Sequence, residues 1–433
     1  MSSTRTWNPI LLTCVFLIAL AVGLGINLLA GPQELTGDEP EYHSLALQVA
    51  QTGTYGTPGG QASRAPLYPF LLGAAYRVFG ASPLTGRVLQ SVLAAFMVLL
   101  TFMIACRFGG LWAGVLSAVL LMVDSYWWLM QYELLQENLL GVLLTGAVLA
   151  GLMAIEQRHV RAMLWASLAG LLVGLSLLTK PLIIPLLPLL LVVPLLAKPG
   201  ERGRAMALVA ICFAASVIAV VPWSVRNYRV FGRFVPICTG SGIVFHGAHC
   251  SQNVFRGGWT SKCELGPEEL ERLGSAVSAQ QKEVLLDRLH LAAGIKEALR
   301  RPVWELLIHF VAKGLRFWSP STFFGADTLP LVIAKVGLIL LNCAVLASFL
   351  MAICTGKMHG WIAGLSVGAA MLTALVFWGA IRFRYPLAGV ICAYAASYIN
   401  AQAAKLCARK GASCPGHPRC RRTWPFRYHR GGR

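Results

Sequence analysis

The feature that most constrains this chain is a repeat of long stretches without any Asp, Glu, Lys or Arg, separated by short charged links. A helix crossing a bilayer needs about 20 mostly apolar residues, and runs of that size recur at Pro9–Ala30, Val88–Cys106, Asn138–Ile155, Ala162–Thr179, Pro181–Ala197, Ala205–Val225, Val336–Gly356, Met358–Ile381 and Tyr385–Ala404. Phe108–Tyr132 adds another, interrupted only by Asp124. The pattern predicts an all-α polytopic membrane protein with about ten spans, of which the proline-bearing Pro181–Ala197 is the shortest. Composition agrees: 56% of the 433 residues are hydrophobic and 13% charged, where soluble domains carry about 25% charge. That excludes a water-soluble enzyme, a disordered chain and a collagen-like repeat.

Orientation follows from the basic residues of the short loops, which favour the cytoplasmic side. With the N-terminus inside, the inner loops carry Arg107, Arg158, Arg161, Lys198, Arg202, Arg204 and Lys357. The net charge is +19, and from Ala401 onward there are nine Lys/Arg and no acid. The expected organisation is a membrane domain over 1–404, with outer loops 31–86 and 226–328, and a basic cytoplasmic tail over 405–433. The first run reads as an uncleaved anchor, and both termini are expected inside. The first outer loop holds two amphipathic stretches suited to lying in the interface plane. In one, Tyr42, Leu45, Ala46 and Val49 share a helical face; in the other, Leu67, Phe70, Leu71 and Ala74 do.

The concentrated polar chemistry lies on the outer side. Gly37-Asp38-Glu39-Pro40-Glu41-Tyr42 follows the first span, and two readings of Asp38 stand open: a helix N-cap with Glu41 completing a capping box, or a general base at the membrane surface. Arg64 precedes a short helix and suits phosphate oxygens, or snorkels to headgroups as an anchor. Lys180 lies between two apolar runs, where a cation is costly without an anion or water. Arg226, Arg382 and Arg384 stand at further outer boundaries, against the positive-inside trend. Together these cations predict an anionic lipid at the outer interface. Glu137 opens the fourth span, with Glu133 and Asp124 on the same side. Of the twelve cysteines, Cys238, Cys250 and Cys263 share the large outer loop, which allows one disulfide and leaves a third thiol over. Cys414, His417 and Cys420 in the tail have metal-like spacing but no fourth ligand for a closed zinc site. Neither a Walker loop nor a dinucleotide fingerprint is present, which argues against nucleotide-driven transport.

In order and spacing, several motifs resemble a known family. They are the acidic pair after the first span, Arg64–Pro69 (Arg-x-Pro-x-Tyr-Pro), Val78-Phe79-Gly80, Glu137, Thr179-Lys180-Pro181, Pro222–Tyr228 with Val230-Phe231-Gly232, and Arg382–Pro386. Over roughly residues 9–400 the chain is similar to the bacterial protein-mannosyltransferase-like branch of glycosyltransferase family 39, related to the lipid A aminoarabinose transferases. The resemblance implies a GT-C transmembrane bundle with an extracytoplasmic active site, in the bacterial inner membrane. It implies transfer of a sugar from a polyprenyl phosphate to a lipid, glycan or protein acceptor, with no nucleic acid as partner. By position, Asp38, Glu39 and Glu137 match catalytic acids, and Arg64 and Lys180 match positions at the lipid phosphate. Arg226, Arg382 and Arg384 complete the expected phosphate-binding set, with Tyr42, Tyr68 and His246 near the sugar and acceptor. No cofactor is required, and a divalent ion near Asp38 and Glu137 is compatible with the chemistry. The chain departs from the family in lacking larger soluble additions after the outer loop and in having only three spans beyond it. Two other functions use the same basic rim: a transporter or flippase for an anionic lipid, and a non-catalytic relative that only binds polyprenyl phosphate. Transporters place polar groups near the midplane and show repeat symmetry, and neither is evident in this sequence.

Overall fold

The computed structural model describes residues 8–56, 60–250, 257–276, 278–319, 329–355 and 359–409. Lys357, the residues after Arg409 and the Cys414/His417/Cys420 spacing lie outside the described residues. Everything regular among the described residues is helical. α1 (Pro9–Ala30) begins where the Asn8 side chain accepts from the Ile10 amide and ends at Gly31, whose φ of 65° is the left-handed value glycine tolerates. α2 (Glu39–Thr52) and α3 (Leu67–Phe79) are the two short helices of the first loop. They pack closely, since a Cβ on Gly73 would stand 2.7 Å from Val49 Cγ1.

α2 buries the expected face, Tyr42, Leu45, Ala46 and Val49. α3 divides its face: Leu67 and Leu71 are half-buried against the core while Phe70 and Ala74 are exposed, and Tyr68, Leu72 and Tyr76 are the buried residues. Apolar residues also line the side opposite the expected face, so periodicity alone did not distinguish the protein-facing stripe from an outer one. The exposed stripe suits a helix lying against lipid.

α4 (Pro83–Val123) doubles back on itself. Gly110 has φ 74° and breaks the helix. A Cβ on Gly114 would meet the Cys106 sulfur and stand 2.8 Å from the Phe102 ring, whereas residues 12 apart in a straight helix are separated by about 18 Å. The two arms correspond to the two apolar runs on either side of Arg107. α5 (Ser125–Leu129) is a single turn capped by Asp124, whose carboxylate accepts from the Tyr126 and Trp127 amides. α6 (Glu137–Glu156) and α7 (His159–Thr179) then form an antiparallel pair. After a 3-10 turn at Pro181–Ile183, only two short pieces are helical, α8 (Leu186–Leu189) and α9 (Val193–Leu196); Pro185, Pro188 and Pro194 remove the amides a continuous helix needs. α10 (Arg202–Phe231) returns along α7. Gly170 and Gly174 let the two backbones touch: the Ser216 hydroxyl donates to Gly170 O at 2.9 Å, and a Cβ on Gly174 would lie 2.6 Å from Ser216 O.

The large loop holds α11 (Ser241–His249), α12 (Pro267–Gly274), α13 (Ala279–Arg300) and the amphipathic α14 (Val303–Trp318). A disulfide joins Cys250 to Cys263, and Cys238 is the thiol left over. α15 (Leu329–Cys354), α16 (Gly360–Val376), the single turn α17 (Ile381–Arg384) and α18 (Ala388–Arg409) complete the described chain.

Among the described residues, six helices are long and apolar enough to cross a membrane, α4 counted once. With both arms of α4, the broken 181–196 stretch, α16 and α18, the described chain makes ten passes between two ends of one bundle. One end is marked by Arg107 paired with Glu156, Arg204 on the Ala154, Ile155 and Gln157 carbonyls, and Asn400 on Gly109 O. The other end collects α2, α3 and the starts of both α4 and α6. There a buried polar hub holds the floor of the site. Gln90 Nε2 donates to the Tyr68 hydroxyl and to the Glu133 and Leu135 carbonyls. Asn138 donates to Gln90 O and Met130 O and accepts from the Tyr385 hydroxyl at 2.5 Å.

Candidate active site

The residue before a helix ordinarily directs its side chain at the first amides, and Asp38 does not. It has no side-chain capping bond. Glu39 instead closes the turn before the helix: its Oε2 accepts from the Thr36 amide at 2.8 Å, and Thr36 O accepts from the Glu39 amide. The carboxylate reaching back to an amide three residues earlier is one half of a capping box. Glu39 Oε1 in turn accepts from the Leu134 amide at 2.9 Å, fastening the first loop to the approach of α6. Asp38 is thereby left for a different set of partners.

Those partners form a continuous ionic chain drawn from distant segments. Arg64 donates from Nη2 to Asp38 Oδ1 at 2.8 Å and from Nε to Glu41 Oε2 at 2.7 Å. Arg382 donates from Nη1 to Asp38 Oδ2 at 2.7 Å and from Nε to Glu137 Oε1 at 2.5 Å. Lys180 Nζ reaches the same Glu137 oxygen at 3.0 Å, with its ammonium 4.7 Å from the centre of the Phe383 ring. Side-chain exposure rises along the chain, from 0% at Glu137 through 16% at Lys180 and 20% at Arg382 to about 30% at Asp38 and Arg64. The network thus begins inside the bundle and opens at its surface. Three cations face three carboxylates, the balance that makes buried charge tolerable.

Each member is placed by its element. Lys180 ends α7 immediately before Pro181, and Arg382 stands in the single turn α17. Glu137 opens α6, where a carboxylate gains from the helix dipole. Burial alone raises the Asp38 carboxyl, but Arg382 and Arg64 outweigh it and hold the group below its usual range. Nearby Glu133 is pushed up to about 7, first by burial and then by Glu137 and Glu39. Tyr42 lies fully buried with its ring 5.4 Å below the Arg64 guanidinium. Neither its hydroxyl nor Glu137 Oε2 has a hydrogen-bond partner among the described residues.

Of the residues singled out from the sequence, Asp38, Glu137, Arg64, Lys180, Arg382 and Tyr42 therefore converge. Five others lie elsewhere or are engaged otherwise. Both carboxylate oxygens of Glu39 are taken up by backbone amides, so it shapes the loop. Tyr68 is buried edge-on to Tyr42, and its hydroxyl accepts from Gln90. Arg384 points away from Arg382, donating to Phe317 O at 3.0 Å on the side where Asp124 lies. Arg226 ties the loop before Arg64, donating to Tyr55 O and Gln61 O at 2.8 Å each. His246 sits in the outer helices against His290 and Glu297. Sequence reasoning gave Glu41 a capping role only, whereas its carboxylate accepts from Arg64; its i, i+3 spacing from Asp38 puts both carboxylates on one helical face. Among the described residues, no three His, Cys, Asp or Glu converge as a metal site.

Comparison with known proteins agrees with this arrangement at the level of the fold. The sequence profile of the dolichyl-phosphate-mannose-protein mannosyltransferases matches residues 63–225. Among solved structures, the chain is similar to the oligosaccharyltransferase AglB from Archaeoglobus fulgidus, solved with an inhibitory peptide and a dolichol-phosphate. That likeness has a TM-score of 0.54 and 14% identity, over 92% of this chain and 51% of the other. This chain thus spans about half the length of AglB. It is also similar to ArnT from Cupriavidus metallidurans bound to undecaprenyl phosphate, at TM-score 0.43 and 17% identity over 94% of this chain and 81% of that one. No curated protein matches the chain. The fold is that of the GT-C membrane proteins.

Proposed function

We propose that this protein is a membrane glycosyltransferase that moves a sugar from a polyprenyl-phosphate donor to an acceptor on the extracytoplasmic face. One observation carries the reading: a carboxylate at the surface of the bundle, Asp38, is held by two of three cations, Arg64, Arg382 and Lys180, that line one ionic chain. The match to mannosyltransferases that use a dolichyl-phosphate sugar supports it.

The chemistry follows from charge. An acceptor hydroxyl attacks the anomeric carbon, the bond from that carbon to the phosphate oxygen breaks, and the departing lipid phosphate keeps the electron pair. Arg64, Arg382 and Lys180 stabilise that developing charge where little water competes. Asp38 takes the acceptor's proton. A carboxylate gripped by two guanidinium groups is a weak base; an arriving phosphate shares those donors and restores the basicity of Asp38. Donor binding thereby switches on the base. Glu137 keeps Lys180 and Arg382 placed and charged. In this reading side-chain cations meet the leaving charge, so transfer survives chelation; loss of transfer in EDTA, restored by a divalent ion, would instead place a metal at Asp38 and Glu137.

The test is a reconstituted assay with purified protein, labelled polyprenyl-phosphate sugar and envelope extract as acceptor. Wild type yields glycosylated product, and Asp38→Asn yields about a hundredth of it or less. A lipid transporter yields no product with either, and full transfer by Asp38→Asn removes the proposal.

A further inference from the structure

One buried cation takes no part in the ionic chain and, among the described residues, pairs with no carboxylate. Lys313 is fully buried on the inner face of α14, with His309 one turn before it and Phe317 one turn after. The opposite face of the helix, with Val303, Leu307, Val311 and Leu315, is exposed. An ammonium buried without a counter-ion is costly unless each of its protons is taken up, and three acceptors surround this one. Nζ lies 3.0 Å from Leu375 O, 3.3 Å from Val376 O and 3.0 Å from His249 Nε2. Burial, and then Lys313 itself, push the His249 imidazole down to about 3 and so keep it neutral. Its Nδ1 carries the proton, donating to Phe245 O at 3.0 Å, which leaves Nε2 to accept from Lys313.

The two carbonyls belong to the end of α16, where a helix leaves its last C=O groups without internal partners and a cation is favoured. α14 also holds the chain that follows. Arg316 Nε donates to Gly379 O at 3.0 Å, and Phe317 O accepts from Arg384 Nη1 at 3.0 Å. Gly379 packs so closely that a Cβ there would collide with Lys313 O. Both ends of the stretch 375–384 are thus fixed to one helix of the outer loop. Arg382 lies inside that stretch, and from there its guanidinium reaches Asp38 and Glu137.

We propose that Lys313 is a positioning residue: by holding the end of α16 from the outer loop, it sets the turn α17 that presents Arg382 to Asp38 and Glu137. The part that Arg382 plays in sugar transfer rests on the reaction proposed above; its placement does not. Of the three side chains that fasten the stretch, Lys313 is the one whose charge changes near neutrality. Burial, with Arg301 adding to it, pulls its ammonium down to about 7. The protonated form has three hydrogens for three acceptors, and the neutral amine has one too few. The charged and titratable groups around it are His249 on α11, His309 and Arg316 on α14 and Arg301 just before α14; α16 and the link to α17 contribute carbonyls alone.

The experiment follows amide exchange by mass spectrometry in the full chain in detergent, and measures transfer from labelled polyprenyl-phosphate sugar on the same preparations. Lys313→Met keeps the length of the side chain and removes its charge. Exchange should quicken about tenfold or more, as for the loss of one charge-assisted contact, in 377–387 and in 36–42, which Arg382 joins through Asp38, with α13 unchanged. Transfer per folded molecule should fall about ten- to a hundredfold, the cost of a small misplacement near the chemistry, in kcat rather than in KM for donor. A lysine needed for folding alone would lower the unfolding temperature and leave kcat of the folded fraction intact, which overturns the proposal. Wild type supplies a test that needs no variant: exchange in 377–387, corrected for its intrinsic pH dependence, should rise as pH passes about 7. Glu133→Gln, which removes the other group titrating near 7 beside Arg382, should keep that rise. Unchanged exchange in 377–387 on Lys313→Met, or in wild type across that pH range should the variant not fold, overturns the proposal. Quickened exchange there in a protein without transfer activity leaves the placement standing and removes the transferase reading alone.

Discussion

Asp38 and Glu39 are neighbours with opposite assignments, and the difference is one of hydrogen-bond geometry. The Glu39 carboxylate accepts from two amides, one of them across a separation of 95 residues; among the described residues the Asp38 carboxylate accepts from guanidinium groups alone. Asp38→Asn retains the shape and removes the charge, so transfer should fall by about 10²–10⁴-fold, the usual contribution of a general base, with donor binding retained in a filter-binding assay. Glu39→Ala leaves the Thr36 and Leu134 amides unpaired, and thermal unfolding should report a loss of about 1–3 kcal/mol. Lys180→Ala removes one charge-assisted contact to a partly desolvated phosphate, so donor use should weaken by about 10–150-fold in kcat/KM for donor. Glu133 gives a pH signature. Its carboxyl is raised from an ordinary 4.5 to about 7, so the folded state binds more protons than the unfolded one between those values. Stability contributed by that proton is present at low pH and lost as pH rises through about 7; Glu133→Gln should flatten the profile of unfolding temperature between pH 4.5 and 7. The cations of the site were legible because charge beside apolar runs stands out. Which of Arg382 and Arg384 would join the ionic chain was not, since residues two apart in a turn point in different directions, and only the packed bundle sends Arg382 to Asp38 and Glu137 and buries Arg384 against Phe317 O.

At the level of elements, long apolar runs announced themselves and their interruptions did not. The doubling of α4 depends on Gly110, and its two arms were legible as two runs only because Arg107 falls between them. The short helices were harder. α2 carries polar residues on one side, so its buried face could be read; α3 carries none until Arg77, so its face could not. The α7–α10 contact was invisible in the pattern, because small residues are informative only when their partner is known. Gly174→Leu would force a side chain against Ser216 O, and close backbone approach is what such glycines permit in membrane bundles. The variant should express poorly or unfold several degrees lower, whereas Gly151→Leu, with open space around its Cβ, should behave as wild type.

Across the whole molecule, the loop bearing the disulfide and the ionic chain share one end of the bundle, and Arg107, Arg204 and Asn400 mark the other. The charge of the short loops predicts that this second end faces the cytoplasm, as the proposed function requires. Cys250 and Cys263 should therefore resist thiol labelling in cells until reductant is added, because disulfides persist on the oxidising side; labelling without reductant would invert the topology. The ionic chain also has a history in time. Asp38 and its partner Arg382 are separated by 344 residues, and translation proceeds at about 5–20 residues per second. For tens of seconds the growing chain carries its acids in the membrane without the guanidinium that links them, and closing so long a loop is entropically costly. The ionic chain closes only once α17 has been made and has joined the bundle, so a truncation before Ile381 leaves the carboxylates of the first loop without that partner.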